Sequence, residues 1–147
     1  MNPNATGVSL VVSRTIRAPR EEVFRAWTSP DELRKWHAPG EMTIPLAEVD
    51  LRVGGAFRIR MQAPDGPAHT VMGVYQEIDP PKRLVYSWNW EENEAHAGGE
   101  TQVTIEFEEK GQETEVTLTH SGFGAEEPRD SHEGGWTQIL ARMAAAY

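Results

Sequence analysis

The sequence contains no cysteine among its 147 residues. Disulfide bonds, zinc–thiolate sites and thiol nucleophiles are therefore excluded. It also lacks an apolar run of about 20 residues, the length that a membrane-spanning helix needs. The segment MNPNATGVSL has no charged leader followed by an apolar stretch, which is the pattern of a signal peptide. We therefore expect a cytoplasmic protein with no membrane insertion.

Basic residues are in the minority. The chain has 14 Lys and Arg against 23 Asp and Glu, so its formal net charge is −9. This balance disfavours nucleic acid and anionic membrane surfaces as partners, because both carry dense negative charge. The hydrophobic share of 38% is typical of a globular chain, and the length suits one domain over residues 1–147.

Several catalytic and cofactor motifs are missing. Gly54 and Gly55 precede a predicted strand rather than a helix, so they do not form a phosphate-binding loop. They instead predict a turn or bulge that bends a sheet, and Gly73 within a strand has the same meaning. No paired histidine spacing indicates a metal site, and no G-x-S-x-G motif indicates a serine nucleophile. We expect neither a cofactor nor a metal.

Alternating apolar and polar residues predict most of the secondary structure as strands. The alternation occurs in VSLVVSRTIR, AFRIRMQ, TVMGVYQEI, LVYSWNW, TQVTIEFEE and TEVTLTH, with a polar loop, EENEAHAGGE, after LVYSWNW. Each strand has one apolar face, which is typical of an antiparallel sheet with one face in water. Two short helices are predicted after the first strand, in APREEVFRAW and SPDELRKW, and Ser29 with Glu32 forms a capping box for the second.

The last segment predicts a long helix with one apolar face. Asp130 is its expected cap, and from about Ser131 to Tyr147 it would measure roughly 25 Å. Gly134 and Gly135 weaken such a helix by about 1 kcal/mol each. We expect close packing against a neighbouring backbone to explain them. The whole pattern predicts an α+β protein in which a bent antiparallel sheet wraps on the carboxy-terminal helix and leaves a hollow.

The segments IRAPREEVFRAWTSPDELRKWHAP, DLRVGGAFRIRMQAPDG, GVYQEIDPPKRLVYSWNW and HEGGWTQIL resemble the SRPBCC superfamily. More narrowly, they resemble its AHSA-type branch, the activator of heat-shock-protein-90 ATPase homologue-like domains. The resemblance covers about Val8 to Tyr147. It implies the helix-grip (START/Bet v-like) fold and a deep hydrophobic pocket between the sheet and the last helix. That helix ends early for such domains, so either the pocket is open at its far end or the helix continues beyond Tyr147.

The candidate ligand-binding residues are those expected on inward faces near this pocket. They are Trp36, Phe57, Ile59, Met61, Tyr86, Trp88, Trp90, His120, Phe123, Trp136 and Leu140. From periodicity alone, most of these residues are expected to belong to the core. Ligand pockets are also mostly apolar, so some of the same residues can line a pocket. We expect Trp88, Trp90 and Trp136 to form pocket walls and Trp36 to lie near the mouth. The segment HSGFG is predicted to be a glycine-hinged loop in which Phe123 gates the pocket.

His120 is the one candidate catalytic residue. Alternation points it inward, so it is either a core histidine bonded to backbone or Tyr86, which we favour, or a proton donor or polar anchor for a ligand. Three functions remain open. The first is binding of a small hydrophobic or amphipathic molecule by a monomer or homodimer. The others are an enzyme of the polyketide cyclase/aromatase or hydrolase type, and a chaperone-associated protein-binding module.

Overall fold

The computed structural model describes residues 8–91 and 100–147. Most of the loop predicted from EENEAHAGGE lies outside the described residues. In chain order the elements are β1 (Val8–Ile16), α1 (Arg20–Thr28), α2 (Pro30–Trp36), β2 (Thr43–Val49), β3 (Ala56–Gln62), β4 (Ala68–Asp79), β5 (Arg83–Trp90), β6 (Thr101–Lys110), β7 (Glu113–Phe123) and α3 (Glu126–Ala145). The predicted order of a strand, two short helices, a run of strands and a long helix is confirmed, and β2 is a further strand for which the alternation named no segment.

The seven strands form one antiparallel sheet with the order β1-β7-β6-β5-β4-β3-β2. Alternate side chains are buried along β3, β6 and β7, as the sequence pattern predicts, whereas residues 84–88 of β5 are buried on both faces. In β6, for example, Val103, Ile105 and Phe107 are buried while Gln102 and Glu106 face water. The apolar face of the sheet, together with α1, α2 and α3, therefore encloses the core.

The sheet is curved, and two of the glycines mark where it bends. Gly54 lies in the turn before β3 with φ of +88°, a conformation that side chains other than glycine rarely adopt. Gly73 lies in β4, where a Cβ atom would overlap the Ser87 carbonyl oxygen and the Phe57 ring. The β4–β5 ladder also shifts register between Tyr75 and Glu77. The turn predicted at Gly54 is therefore present, and at Gly73 the backbone approaches a neighbouring strand closely, as predicted.

The two short helices pack their tryptophans together. The Trp27 and Trp36 rings lie 4.6 Å apart, and the Trp36 indole donates a hydrogen bond to the Ala26 carbonyl oxygen. The predicted capping box is wrong in detail. Ser29 is the residue that precedes α2, but its side chain makes no capping bond, and Glu32 instead binds Lys35 at 2.9 Å. A lysine one turn away therefore engages the carboxylate that the box would have used.

The long helix begins earlier than predicted. α3 starts at Glu126, so Asp130 lies inside the helix, where it accepts a bond from Arg129. Pro128 is compatible with this start because a first-turn residue needs no backbone N–H partner. α3 packs most closely on β1, and Tyr147 lies beyond its last residue. Among the described helices, none combines the length and the apolar character needed to cross a membrane.

Candidate functional site

A cavity of about 200 Å³ lies between α3 and the inner face of strands β3, β4 and β5. α3 packs on β1, which is an edge strand of the sheet. The space between α3 and the middle strands is therefore occupied by large side chains and by this cavity. Its described lining consists of Pro39, Met61, His69, Trp88, Trp90, Ser131, His132, Gly135, Trp136 and Ile139. No aspartate, glutamate, lysine or arginine is among these lining residues.

The α3 side of the cavity is built by helical spacing. His132, Gly135, Trp136 and Ile139 follow one another at intervals of three, one and three residues, which places them on one helix face. Of these four residues, only Trp136 was predicted from the sequence to line the pocket. The spacing itself was visible in HEGGWTQI and could have indicated the other three.

The cavity opens toward a wider surface groove of about 750 Å³. Pro39, Ser131 and Gly135 line both spaces, so they mark the mouth. Gly134 also lines the groove. A Cβ atom at Gly134 or Gly135 would meet no atom within 4 Å. The expected close backbone packing at these glycines is therefore wrong, and they instead leave space on the helix surface where the cavity opens.

Arg142 fixes the side of the mouth that contains Pro39, across from Ser131 and Gly135. Its guanidinium donates to the carbonyl oxygens of Lys35, Ala38 and Met42 at 3.1, 3.2 and 2.8 Å. The bonds to Ala38 and Met42 tie the segment between α2 and β2, which includes Pro39, to the last turns of α3, and the bond to Lys35 ties the end of α2 to the same turns. Because charged donors make stronger hydrogen bonds than neutral ones, one side chain can fix a segment that belongs to no helix or strand.

The three lining tryptophans form one aromatic cluster. The Trp88 ring centroid lies 4.9 Å from that of Trp136 and 5.7 Å from that of Trp90, with the latter pair perpendicular at 88°. Such offset and edge-to-face arrangements are the favoured ones for aromatic rings. The predicted walls Trp88, Trp90 and Trp136, together with Met61, are therefore brought together at one cavity.

His120 lies behind this wall, and both of its ring nitrogens are bonded. The Trp136 indole N–H donates to Nδ1 at 3.0 Å, so Nδ1 carries no proton. Nε2 then carries the proton and donates to Thr101 Oγ1 at 2.6 Å, while Thr101 donates to the Trp88 carbonyl oxygen. Burial lowers the pKa of His120 to about 2, and the nearby His132 adds to the shift. The ring is thus neutral and fully satisfied.

His132 repeats this arrangement at the cavity edge. Its Nδ1 lies 2.7 Å from the Pro128 carbonyl oxygen, which can only accept, so Nδ1 carries the proton. Its Nε2 accepts a bond from the Trp90 indole at 3.0 Å. Two histidines therefore each hold the indole N–H of one cavity-lining tryptophan.

The third lining indole has no such acceptor. Trp88 Nε1 is buried and has no hydrogen-bond partner among the described residues, and His37 Nδ1 is in the same condition. The His37 ring lies 6.1 Å from the Trp88 ring and 5.5 Å from the Trp136 ring. Burial lowers the pKa of His37 to about 4, so this ring is also neutral near pH 7.

Other predicted ligand residues lie away from the cavity. Phe57, Ile59 and Tyr86 border a separate void of about 10 Å³ deeper in the core. The Tyr86 hydroxyl accepts a bond from the Trp27 indole, and burial raises the pKa of Tyr86. The suggested bond between His120 and Tyr86 is therefore wrong, because both groups have other partners.

Trp36, Phe123 and Leu140 are also outside the described lining. Trp36 is 1% exposed and covered by α1, so it does not lie near the mouth. Phe123 is the fully buried last residue of β7, with its ring 4.3 Å from that of His120. A residue paired in the sheet cannot swing as a loop gate, so that expectation is wrong. Leu140 is buried in the core.

No group of three or more histidine, aspartate or glutamate side chains in the described ranges is arranged to hold a metal ion. The residues at the cavity can instead supply apolar contact area, aromatic faces and single hydrogen bonds. This combination is typical of a pocket for a small organic molecule.

Comparisons with known proteins agree with this architecture. The family model of activator of Hsp90 ATPase homolog 1-like protein matches residues 17–147. A crystal structure of a protein from Chromobacterium violaceum is 29% identical with a TM-score of 0.85, and the match covers 99% of this chain and 97% of that one. The AHSA1 protein from Silicibacter pomeroyi is 25% identical with a TM-score of 0.83, covering 95% and 96%.

The AHSA1-like protein from Aeromonas hydrophila is also 25% identical, with a TM-score of 0.76 and coverage of 94% and 90%. No curated protein matches the chain. The likeness to these structures extends over nearly all of each chain, and it confirms the predicted helix-grip fold. Since the family model spans most of the sequence, the chain belongs to the family of activator of Hsp90 ATPase homolog 1-like proteins.

Proposed function

We propose that this protein binds a small, neutral, apolar or amphipathic molecule in the cavity between α3 and the sheet. The observation that carries the proposal is the cavity of about 200 Å³ with largely apolar and aromatic walls and no aspartate, glutamate, lysine or arginine in its described lining. Burial of a ligand's apolar surface there would be favourable at about 25 cal/mol per Å². A charged ligand group would lose its hydration without gaining an ion pair.

The volume limits the size of the ligand. A cavity of about 150 Å³ can hold benzene, whereas pockets for drug-sized molecules measure about 300–1,000 Å³. A space of about 200 Å³ therefore suits a compound with one ring or a short chain. A sterol or a full lipid would need the mouth and α3 to move.

The expected affinity follows from the same size. A one-ring compound such as ethylbenzene has eight carbon atoms. At about 0.5 kcal/mol per heavy atom, which is within the known range for small ligands, binding would be worth about 4 kcal/mol. This value corresponds to a Kd of about 1 mM.

Calorimetric titration with ethylbenzene tests the proposal. We expect binding to the wild-type protein and at least tenfold weaker binding to Gly135→Leu, because the new side chain enters the cavity mouth. Thr137→Leu is the matched control, since it adds the same side chain to an exposed position of the same helix. Equal binding to all three proteins, or no binding to the wild type, would reject the proposal.

The other two functions rest on the resemblance alone. A cyclase or hydrolase needs a free acid, base or nucleophile facing its substrate. In the described site, the two ring nitrogens of His132 are engaged, and His120 lies behind the wall with both nitrogens bonded. A chaperone-binding surface likewise has no specific observation in its favour.

A further inference from the structure

We propose that Trp88 selects the ligand's chemistry by donating its indole N–H to a hydrogen-bond acceptor on the bound molecule. The ligand class would then be a neutral one-ring compound with a carbonyl or ether oxygen. This inference rests on the proposed function and refines it. It is carried by a difference among the three indoles of the cavity wall.

Two of these indoles have their donors occupied by the protein. Trp136 donates to His120 Nδ1 and Trp90 donates to His132 Nε2, each at 3.0 Å. Trp88 lines the same wall, and its Nε1 is buried with no acceptor among the described residues, so a ligand oxygen reaches it once the indole turns toward the cavity. Buried polar groups in proteins are nearly always hydrogen-bonded, so an exception at a ligand-sized cavity calls for an external partner.

The bonded acceptors around Trp88 are not available to it, and the unpartnered His37 Nδ1 makes no hydrogen bond with Trp88 Nε1. Both nitrogens of His120 are bonded, and Nε2 of His132 already accepts from Trp90. The Trp88 backbone oxygen is itself bonded to Thr101. A ligand acceptor would therefore gain a hydrogen bond that competes with none of these.

The lining also limits what else the ligand can carry. With no lysine or arginine in the described lining, a carboxylate would be left without a counter-charge. A strong donor such as an amine would find the His132 nitrogens engaged, and Ser131 offers a hydroxyl only at the mouth. A ketone, an aldehyde or an ether fits these conditions best.

A matched pair of probes tests this step. Acetophenone and ethylbenzene share the same eight-carbon skeleton and differ only in the carbonyl oxygen that acetophenone carries in place of two hydrogens. Their Kd values would be measured by calorimetry on the wild type and on Trp88→Phe, which keeps an aromatic ring and removes the N–H. We expect the preference for acetophenone over ethylbenzene to be about five- to tenfold larger in the wild type than in the variant.

A second measurement does not depend on the variant's folding. In ¹H–¹⁵N spectra of the wild type, acetophenone should shift the Trp88 indole signal downfield, whereas ethylbenzene should not. Benzoate, the charged analogue, should bind at least tenfold more weakly than acetophenone at pH 7.5.

The outcomes separate the two proposals. If ethylbenzene binds and is blocked by Gly135→Leu, but the probe preference is the same in Trp88→Phe and the indole signal does not respond to acetophenone, this inference is overturned and the cavity proposal stands. Tighter binding of benzoate would overturn the neutral-ligand class. If neither neutral probe binds the wild type, both proposals fail.

Discussion

Acidification from pH 7.5 to pH 5 should strongly destabilise the protein, because His37 and His120 are buried in neutral form. His37 is 1% exposed and His120 is 0% exposed. Burial lowers the pKa of His37 to about 4 and that of His120 to about 2, from an ordinary value of 6.5. In the unfolded chain both rings take up protons below about pH 6.5, whereas in the folded protein they do not. Their contribution to stability is therefore complete above pH 6.5 and is lost as the pH falls from 6.5 toward the folded values.

The size of the effect follows from these pKa values. At pH 5 the pH is about 1.5 units below the pKa of a histidine in the unfolded chain. Protonation therefore stabilises the unfolded chain by about 2 kcal/mol per histidine, at about 1.36 kcal/mol per unit. At that pH the folded forms of both rings are still almost entirely neutral. The two histidines together should remove about 4 kcal/mol, a large part of the 5–15 kcal/mol that typically stabilises a folded protein.

Urea unfolding followed by tryptophan fluorescence at pH 7.5, 6.5, 5.5 and 5.0 measures this loss. Glu91 is held in its charged form by Arg58, which lowers its pKa below the ordinary 4.5, so that pair contributes little change above pH 5. His120→Gln should reduce the loss between pH 7.5 and 5 to about half, since one titrating ring remains. His37→Gln should do the same.

Two results would contradict this assignment. One is a free energy of unfolding that stays constant between pH 7.5 and 5 in the wild type. The other is a loss that remains at about 4 kcal/mol in both single variants, which would assign the proton uptake to other groups.

Three substitutions test other parts of the structure by urea unfolding at pH 7.5. Gly134→Ala should raise the free energy of unfolding by about 0.5–1 kcal/mol, because the site is open and helical; a decrease would show hidden packing there. Gly73→Ala should lower it by about 1–3 kcal/mol through overlap with Ser87, and a neutral effect would contradict the close approach. Arg142→Met should lower the free energy of unfolding by about 2 kcal/mol through loss of three hydrogen bonds to carbonyl oxygens. An unchanged value would show that these bonds do not stabilise the segment at the mouth.

The strands were predictable because their information is local. In β6 and β7 the alternation of apolar and polar residues alone determines which side chains can face the core. The glycine bends were predictable for the same reason, since a glycine within or beside a strand commonly marks a bulge, a bend or a close backbone approach. Element order then followed from reading these segments along the chain.

The site was predictable only in part, because its details depend on contacts between distant residues. Trp88, Trp90 and Trp136 were selected from periodicity, but whether an indole N–H is satisfied depends on which histidine the fold brings beside it. His120 meets Trp136 through the packing of α3 on the sheet, which no local pattern encodes. The start of α3 was missed because Asp130 is a residue type favoured as a helix cap, whereas the helix begins at Glu126 with Pro128 in its first turn.

The packing of Trp88 between Trp90 and Trp136 has an optical consequence. At ring separations of 5.7 and 4.9 Å the strong far-ultraviolet transitions of neighbouring indoles couple, so far-ultraviolet circular dichroism should contain an exciton couplet. Its sign and amplitude depend on the angle between rings, and a guest that turned any one of them would alter the spectrum. The spectrum of the unlabelled protein should therefore report occupancy of the cavity, even when the bound molecule is not identified.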